Sequence, residues 1–103
     1  MASERRGTRR TPFDGWVEVQ SVGERRLATG RDLSAGGIGL VVSPDGLPAR
    51  ASVTCEFALP GISLPMEVEG WVAWSVGMLV GVCFRALDPG LGELLENHVA
   101  GRL

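Results

Sequence analysis

Apolar and polar residues alternate over most of this chain, and short turn sequences interrupt the alternation. Residues 16–22 (WVEVQSV) mix β-branched and polar residues, as expected for a strand that buries one face. The same pattern indicates strands over residues 25–33 and 38–43, and at residues 53, 55, 57 and 59, residues 66, 68, 70, 72 and 74, and residues 80, 82 and 84. Short strands at this spacing predict a mainly β fold, a six- to seven-stranded antiparallel β-barrel.

Glycine marks the predicted turns between these strands. Gly23-Glu24 and Gly77 each separate two strand patterns, which favours tight hairpins at both places. The pair Gly36-Gly37 lies between the second and third predicted strands. There we expect the glycines to supply the positive φ angles that a sharp connection demands.

The end of the chain has a different period. Asp88 is a suitable N-cap and Pro89 suits the first helical position. Helical spacing then places apolar residues on one face together with the lone histidine: Leu91, Leu94, Leu95, His98 and Val99. We therefore predict a short helix over residues 89–100 and interpret His98 as a structural residue.

The length of 103 residues fits one domain with its own core. We expect a flexible arginine-rich arm over residues 1–12, a barrel over residues 13–87, and a helix and tail over residues 88–103. The sequence has no apolar run long enough to span a membrane, and residues 1–10 lack the apolar stretch of a secretory signal. We therefore expect a soluble cytoplasmic protein, in which Cys55 and Cys83 are structural thiols.

The net charge of −2 conceals an uneven distribution. Residues 1–10 hold four arginines against one glutamate, whereas the rest of the chain holds six arginines against eleven acids. Every basic residue is an arginine, whose planar fork of donors can grip a phosphate or lie flat on a base. A basic arm on an acidic body predicts a clamp for a small anion. A nucleic-acid-binding barrel is disfavoured, because the chain lacks a row of exposed aromatic residues.

The segment Asp32-Leu33-Ser34-Ala35-Gly36-Gly37 is the second candidate for binding chemistry. Asp32 and Ser34 alternate along a predicted strand end, so both face the same side, next to a turn with little side-chain bulk. A ligand could approach the backbone closely there. The alternative is a hairpin in which both side chains only hydrogen-bond the turn backbone.

The arm and this segment together resemble the signature of the PilZ family of bacterial cyclic di-GMP receptors. That signature is Arg-Arg-x-x-x-Arg, followed one hairpin later by Asp/Asn-x-Ser-x-x-Gly. The matching positions are Arg5, Arg6, Arg10, Asp32, Ser34 and Gly37. An alternative register through Arg9 satisfies Arg-x-x-x-Arg but not the doubled arginine. The resemblance covers nearly the whole chain and implies a β-barrel that binds cyclic di-GMP.

The resemblance also implies a role for each matched side chain. Arg6 and Arg10 would clamp phosphates and bases, since guanine O6 and N7 match an arginine fork. The carboxylate of Asp32 would accept from guanine N1 and N2, and Ser34 would reach a phosphate or ribose oxygen. Arg5, directly before the second arginine, implies that the ligand binds as an intercalated dimer.

Trp74 has two interpretations. Its spacing from Val68 and Val72 predicts the same strand face, and therefore packing in the core. The resemblance instead implies that Trp74 touches a guanine, because some relatives place an aromatic residue late in the barrel against the ligand. We include Trp74 among the candidate ligand contacts.

No pattern in the sequence supports catalysis, since it offers no nucleophile–base pair and no set of metal ligands. We expect a receptor without cofactors that binds cyclic di-GMP and presents the changed surface to an unidentified downstream protein. The alternative is a PilZ-like adaptor that does not bind the dinucleotide and acts by protein contact alone.

Overall fold

The computed structural model describes residues 10–85 and 87–101, which form seven strands and one helix. The elements are β1 (Thr11–Pro12), β2 (Trp16–Ser21), β3 (Glu24–Ser34), β4 (Gly37–Val41), β5 (Ser52–Phe57), β6 (Met66–Val76), β7 (Leu79–Phe84) and α1 (Pro89–Val99). The predicted mainly β architecture with a C-terminal helix is confirmed.

Six of the strands close into a barrel. The strand order is β1-β3-β2-β5-β6-β7-β4, and an additional β3–β4 pairing joins the two sides of the sheet. Every pairing is antiparallel. Closure leaves β1 as an extra strand outside the ring, and the other strands have a partner on each side.

Alternation of apolar and polar residues produces the core. In β2, Val17 and Val19 are buried, whereas the side chains between them face outward. β5 repeats this pattern with Val53, Cys55 and Phe57. Burial of one such side chain contributes roughly 1.5–3 kcal/mol, so the inward rows hold the barrel together.

The strand β1 was not predicted from the sequence, which placed its residues in the arm. Thr11 pairs with Leu33 and Pro12 pairs with Asp32. A strand of two residues is too short to show alternation, so only its neighbour reveals it. Its consequence is that the chain entering the barrel is fastened beside the end of β3.

The first hairpin turn lies one residue earlier than predicted. Its two residues are Val22, with φ 43°, and Gly23, with φ 75°. Two positive φ angles in a row are the geometry of a type I′ turn, which matches the twist of the flanking strands. A β-branched residue such as Val22 rarely adopts this conformation.

Two irregularities interrupt the regular pairing. In β3 the register shifts between Gly30 and Asp32, so Arg31 is an extra residue. In β6 it shifts between Val72 and Trp74, which leaves Ala73 as the extra residue. A bulge of this kind reverses which face the following side chains point to.

The bulge in β6 decides the orientation of Trp74. The residues before it keep the predicted alternation, and Val72 is fully buried. Trp74 lies beyond the extra residue and is 46% exposed. The prediction that Trp74 packs in the core is therefore wrong, because the spacing argument assumed an uninterrupted strand.

The C-terminal helix agrees with its prediction to within one residue. The Asp88 carboxylate accepts a hydrogen bond from the backbone N–H of Gly90 at 3.1 Å, and Pro89 occupies the first turn. Leu95 is fully buried and belongs to the core of the barrel. No helix in the described ranges is long and apolar enough to cross a membrane.

Both cysteines are free thiols. Cys55 faces the core from β5, whereas Cys83 is only partly buried in β7. Burial raises the pKa of the Cys55 thiol from 9.0 to about 12, because the thiolate would lose its hydration there.

Candidate ligand-binding site

Four residues on neighbouring strands form one row across the outside of the barrel. Asp32 of β3 pairs with Gly39 of β4, Gly39 pairs with Gly81 of β7, and Gly81 pairs with Trp74 of β6. The two bulges bring the aspartate and the tryptophan to the outer face. The two glycines between them, here called the glycine floor, leave a shallow depression between a carboxylate and an indole.

The glycine floor is required by the side chains that lie over it. A Cβ atom on Gly39 would stand 2.5 Å from Oδ1 of Asp32. A Cβ atom on Gly81 would overlap the indole of Trp74. Any larger residue at these positions would therefore push the carboxylate or the indole away from the depression.

Arg10 closes one side of the site with a single guanidinium group. Its Nε and Nη2 atoms both donate to Oδ1 of Asp32, at 3.0 and 2.9 Å. Its Nη1 donates to Oγ of Ser34 at 3.3 Å. The side chains of Arg10 and Asp32 are 40% and 34% exposed, so solvent screens this pair and its main effect is to position both groups.

The backbone around Phe13 fixes the place where Arg10 enters the site. The N–H of Phe13 donates to the carbonyl of Arg31 at 3.0 Å, and the N–H of Gly30 donates to the carbonyl of Gly15 at 2.8 Å. The ring of Phe13 is buried and lies directly over Gly30, where a Cβ atom would overlap it. The short strand β1 and this aromatic anchor together hold Arg10 next to Asp32.

Ser34 serves both the turn and the arm. Its fully buried hydroxyl accepts from the N–H of Gly36 at 3.2 Å, donates to the carbonyl of Gly37 at 3.4 Å, and accepts from Arg10. The alternative of a purely turn-bonding pair therefore describes part of what Ser34 does. The bonds that Asp32 makes through its carboxylate go to Arg10 instead.

The expectation of positive φ angles in the turn at Gly36 and Gly37 is wrong. Positive φ angles occur at Gly23 and Gly77 of the other hairpins, but not at these two residues. Gly37 is needed for space, because a Cβ atom there would overlap the carbonyl oxygen of Val82 on β7. The absence of a side chain lets β4 and β7 approach closely beneath the site.

These groups surround a cavity of about 350 Å³. Five candidates from the sequence line it: Arg10, Asp32, Ser34, Gly37 and Trp74. The remaining candidates, Arg5 and Arg6, lie outside the described residues, as does Arg9. The hairpin, the end of the arm and the late tryptophan therefore meet at one place, as a common site requires.

Sequence reasoning missed several residues that line the same cavity. Gly39 and Gly81 form its floor, while Arg31 and Cys83 contribute to its wall. A signal for the glycines was present, since each stands between two apolar residues at a strand position that faces outward, in Ile38-Gly39-Leu40 and Val80-Gly81-Val82. An outward glycine in a strand often marks a close approach of another group.

The fold and the site define a class of protein: a closed antiparallel barrel with a cavity on its outer wall, rimmed by an arginine–aspartate pair. The profile of the PilZ domain matches residues 4–101. The chain belongs to the PilZ family, whose domains are non-catalytic receptors that generally bind cyclic di-GMP. The expectation that the protein is not an enzyme is confirmed by this membership.

Solved structures share the fold at low sequence identity. The PilZ domain of CeSA from a cellulose-synthesizing bacterium superposes with a TM-score of 0.71 and 19% identity, covering 89% of this chain and 95% of that one. The inhibitor of motility MotI/DgrA from Bacillus subtilis gives a TM-score of 0.72 and 18% identity, covering 90% of this chain and 48% of its own.

The PlzA protein of Borreliella burgdorferi, solved in complex with c-di-GMP, gives a TM-score of 0.61 and 19% identity. The superposition covers 95% of this chain and 36% of PlzA. The chain thus spans about half of the Bacillus protein and about a third of PlzA. No curated protein sequence matches the chain.

Proposed function

We propose that this protein is a receptor for cyclic di-GMP. The observation that carries the proposal is the guanidinium of Arg10, which binds Asp32 and Ser34 at the rim of a cavity that also contains Trp74. The family supports it, and so does the similarity in fold to PlzA, which was solved with this ligand. The ligand residues would be Arg5, Arg6, Arg10, Asp32, Ser34, Gly37 and Trp74.

The chemistry of guanine suits the groups around the cavity. Its O6 and N7 atoms accept hydrogen bonds, and its N1 and N2 atoms donate them. Arg10 occupies Oδ1 of Asp32, so Oδ2 is the oxygen that remains for the N1 and N2 hydrogens. The exposed indole of Trp74 offers a flat surface for the base, and such stacking contributes roughly 1–3 kcal/mol.

The arm supplies the remaining contacts in this proposal. Arg6 clamps the phosphates and bases together with Arg10, and Arg5 accompanies an intercalated pair of ligand molecules. Isothermal titration calorimetry tests the pair directly, because it should give two ligands per protomer. A plateau at one ligand would contradict the dimer and leave the receptor function intact.

Binding produces a signal without a reaction. When the ligand binds Arg5 and Arg6 together with the groups of the barrel, the surface around the cavity changes, and an unidentified downstream protein reads that change. The proposal includes a cytoplasmic location. The free thiols of Cys55 and Cys83 fit such a reducing compartment.

Thermal melting with and without cyclic di-GMP tests the receptor function. Ligand at about 100 times its Kd stabilises the folded state by roughly 2.7 kcal/mol, which raises the Tm of a domain this size by about 10 °C or more. Cyclic di-AMP and GTP should have much smaller effects.

Asp32→Asn should abolish the shift in Tm, and Asp45→Asn, in an exposed loop, should preserve it. An unchanged Tm of the natural protein would overturn the receptor and favour the adaptor.

A further inference from the structure

Arg31 contributes a second guanidinium group to the cavity, and it comes from the barrel and not from the arm. It is the extra residue of the bulge in β3. Its side chain is exposed and lines the same cavity as Arg10 and Asp32. The family signature does not include this position, and the sequence analysis did not select it.

The protein provides no partner for the Arg31 side chain within the described residues. Most other arginines there have a partner for their side chain. Arg10 bonds Asp32 and Ser34, and Arg25 forms an ion pair with Glu18. Arg26 donates to the carbonyls of Gly46 and Ser43, and Arg85 donates to Ser52 and lies over the ring of Trp71. Arg31 shares its unpaired state with Arg50, which lies in a loop and does not line the cavity.

The charge of the cavity wall depends on Arg31. Among the described residues that line the cavity, two are arginines and one is an aspartate, and Arg10 neutralises Asp32 through a direct ion pair. Within this set one positive charge is therefore left, and it belongs to Arg31. A partly enclosed cationic wall attracts an anionic group more strongly than a fully exposed side chain does.

The backbone that carries this charge is fixed before any ligand arrives. The carbonyl of Arg31 accepts the N–H of Phe13 at 3.0 Å, and the preceding residue, Gly30, donates to Gly15 at 2.8 Å. Pro12 pairs with the following residue, Asp32. A group on a fixed backbone loses less conformational freedom on binding than a group on a mobile segment.

We propose that Arg31 binds a phosphodiester of the ligand and is a further affinity-determining residue of the site. This inference rests on the proposed binding of cyclic di-GMP. Arg10 uses three donors of its fork on protein groups, whereas Arg31 contributes an unengaged positive charge. A lysine ammonium can also bind a phosphate, as a point charge, whereas only a planar fork can bond Asp32 and Ser34 at once as Arg10 does. Lys should therefore replace Arg better at position 31 than at position 10.

Calorimetric titration of the full chain with cyclic di-GMP tests the role of Arg31. Arg31→Gln should bind roughly tenfold to a hundredfold more weakly, as expected for the loss of a hydrogen bond between charged groups. Arg31→Lys should remain within about threefold of the natural protein. Arg50→Gln is the matched control, because it makes the same charge change at the other unpaired arginine, and its affinity should be unchanged. All variants should melt within about 2 °C of the natural protein, since exposed substitutions without partners change stability little.

The outcomes separate this inference from the proposed function. If the natural protein binds and Arg31→Gln binds equally well, the role of Arg31 is overturned while the receptor function stands. Equal losses in Arg31→Gln and Arg50→Gln would mean a general charge effect and would also overturn it. Equal losses in Arg31→Gln and Arg31→Lys would overturn the assignment to a phosphate. Absence of binding to the natural protein would overturn both the receptor function and this role.

Discussion

The indole of Trp74 lies across Gly81 on the neighbouring strand, so closely that a Cβ atom on Gly81 would overlap the ring. On the other side of the glycine floor, Gly39 has the same relationship to the Asp32 carboxylate. The two side chains most suited to contact a base are thus positioned by the absence of side chains beside them.

Gly81→Ala should displace the Trp74 indole. We expect the ligand to bind roughly five- to a hundredfold more weakly, because stacking contributes about 1–3 kcal/mol. Overpacking should also lower the free energy of unfolding by roughly 1–3 kcal/mol. Calorimetry and urea denaturation measure the two effects. Gly92→Ala is the control: a Cβ atom there would make only an ordinary contact, 4.0 Å from Cβ of Leu87, so it should stabilise α1 by up to about 1 kcal/mol and leave affinity unchanged. Unchanged affinity in Gly81→Ala would contradict the role of the floor.

Arg10→Lys should separate binding from stability. The exposed ion pair with Asp32 contributes only about 0.2–1 kcal/mol to stability, so urea denaturation should show a small change. Affinity for cyclic di-GMP should fall by about tenfold or more, because an ammonium cannot reproduce the planar fork. Arg25→Lys, at a surface ion pair with Glu18, is the control and should bind normally. Equal binding by both variants would show that charge alone suffices at position 10.

Trp74→Leu should weaken ligand binding, whereas Trp16→Leu should not. Trp16 and Trp74 are both exposed on the barrel surface, but of these two only Trp74 lines the cavity. We expect a loss of roughly five- to a hundredfold for Trp74→Leu from the missing base contact. Ligand-induced quenching of tryptophan fluorescence should disappear in Trp74→Leu and persist in Trp16→Leu. The opposite pattern would remove Trp74 from the site.

The buried thiol of Cys55 makes stability depend on alkaline pH. Its pKa lies near 9.0 in the unfolded chain and near 12 in the folded protein. Below pH 9 both states keep the proton, and the contribution of the thiol is fully present. Between these values only the unfolded state loses the proton, so the free energy of unfolding should fall by up to about 1.4 kcal/mol per pH unit.

Urea denaturation at several pH values between 8 and 11 measures this slope. The sequence contains no lysine and no tyrosine, so few other groups titrate in the range. Cys55→Ala should flatten the slope and Cys83→Ala should retain it. A slope that survives in Cys55→Ala would assign it to another group.

Val22→Asn should stabilise the protein. Val22 has a φ angle of 43° and is 94% exposed, so its side chain gains little burial in return for an unfavourable backbone conformation. Asparagine tolerates this conformation well, and Asn-Gly is a preferred type I′ turn, so we expect a gain of about 1 kcal/mol. Val76→Asn, at another exposed valine without positive φ, should give no gain. Thermal melting compares them, and equal effects would refute a backbone origin.

Local patterns predicted most of the fold. Alternation in segments such as β5 and the cap at Asp88 depend on neighbouring residues, and the structure confirms both. The strand β1 and the two bulges could not be predicted in this way, because pairing with a distant strand defines them. Neither Arg31 nor Ala73 carries a local mark of irregular structure.

The same division applies to the candidate site. The motif residues Asp32 and Ser34 were selected from their spacing, and the structure brings both to Arg10. The spacing argument placed Trp74 on the wrong face, since a period of two fails once an extra residue enters the strand, whereas the family resemblance selected Trp74 as a candidate ligand contact. Arg31 was missed because its neighbours in space, and not in sequence, make it part of the cavity.

The extra residue at Ala73 shifts the alternation of inward and outward side chains in β6 by one position. Each side chain after it points to the face opposite the one that uninterrupted alternation would give it, while the composition of the strand stays the same. If the strand had no bulge and Ala73 itself paired with Gly81, Trp74 would turn toward the packed interior and Ser75 toward solvent. Whether the barrel has an indole available for recognition is therefore a matter of how β6 pairs with β7 and not of which aromatic residue the strand contains.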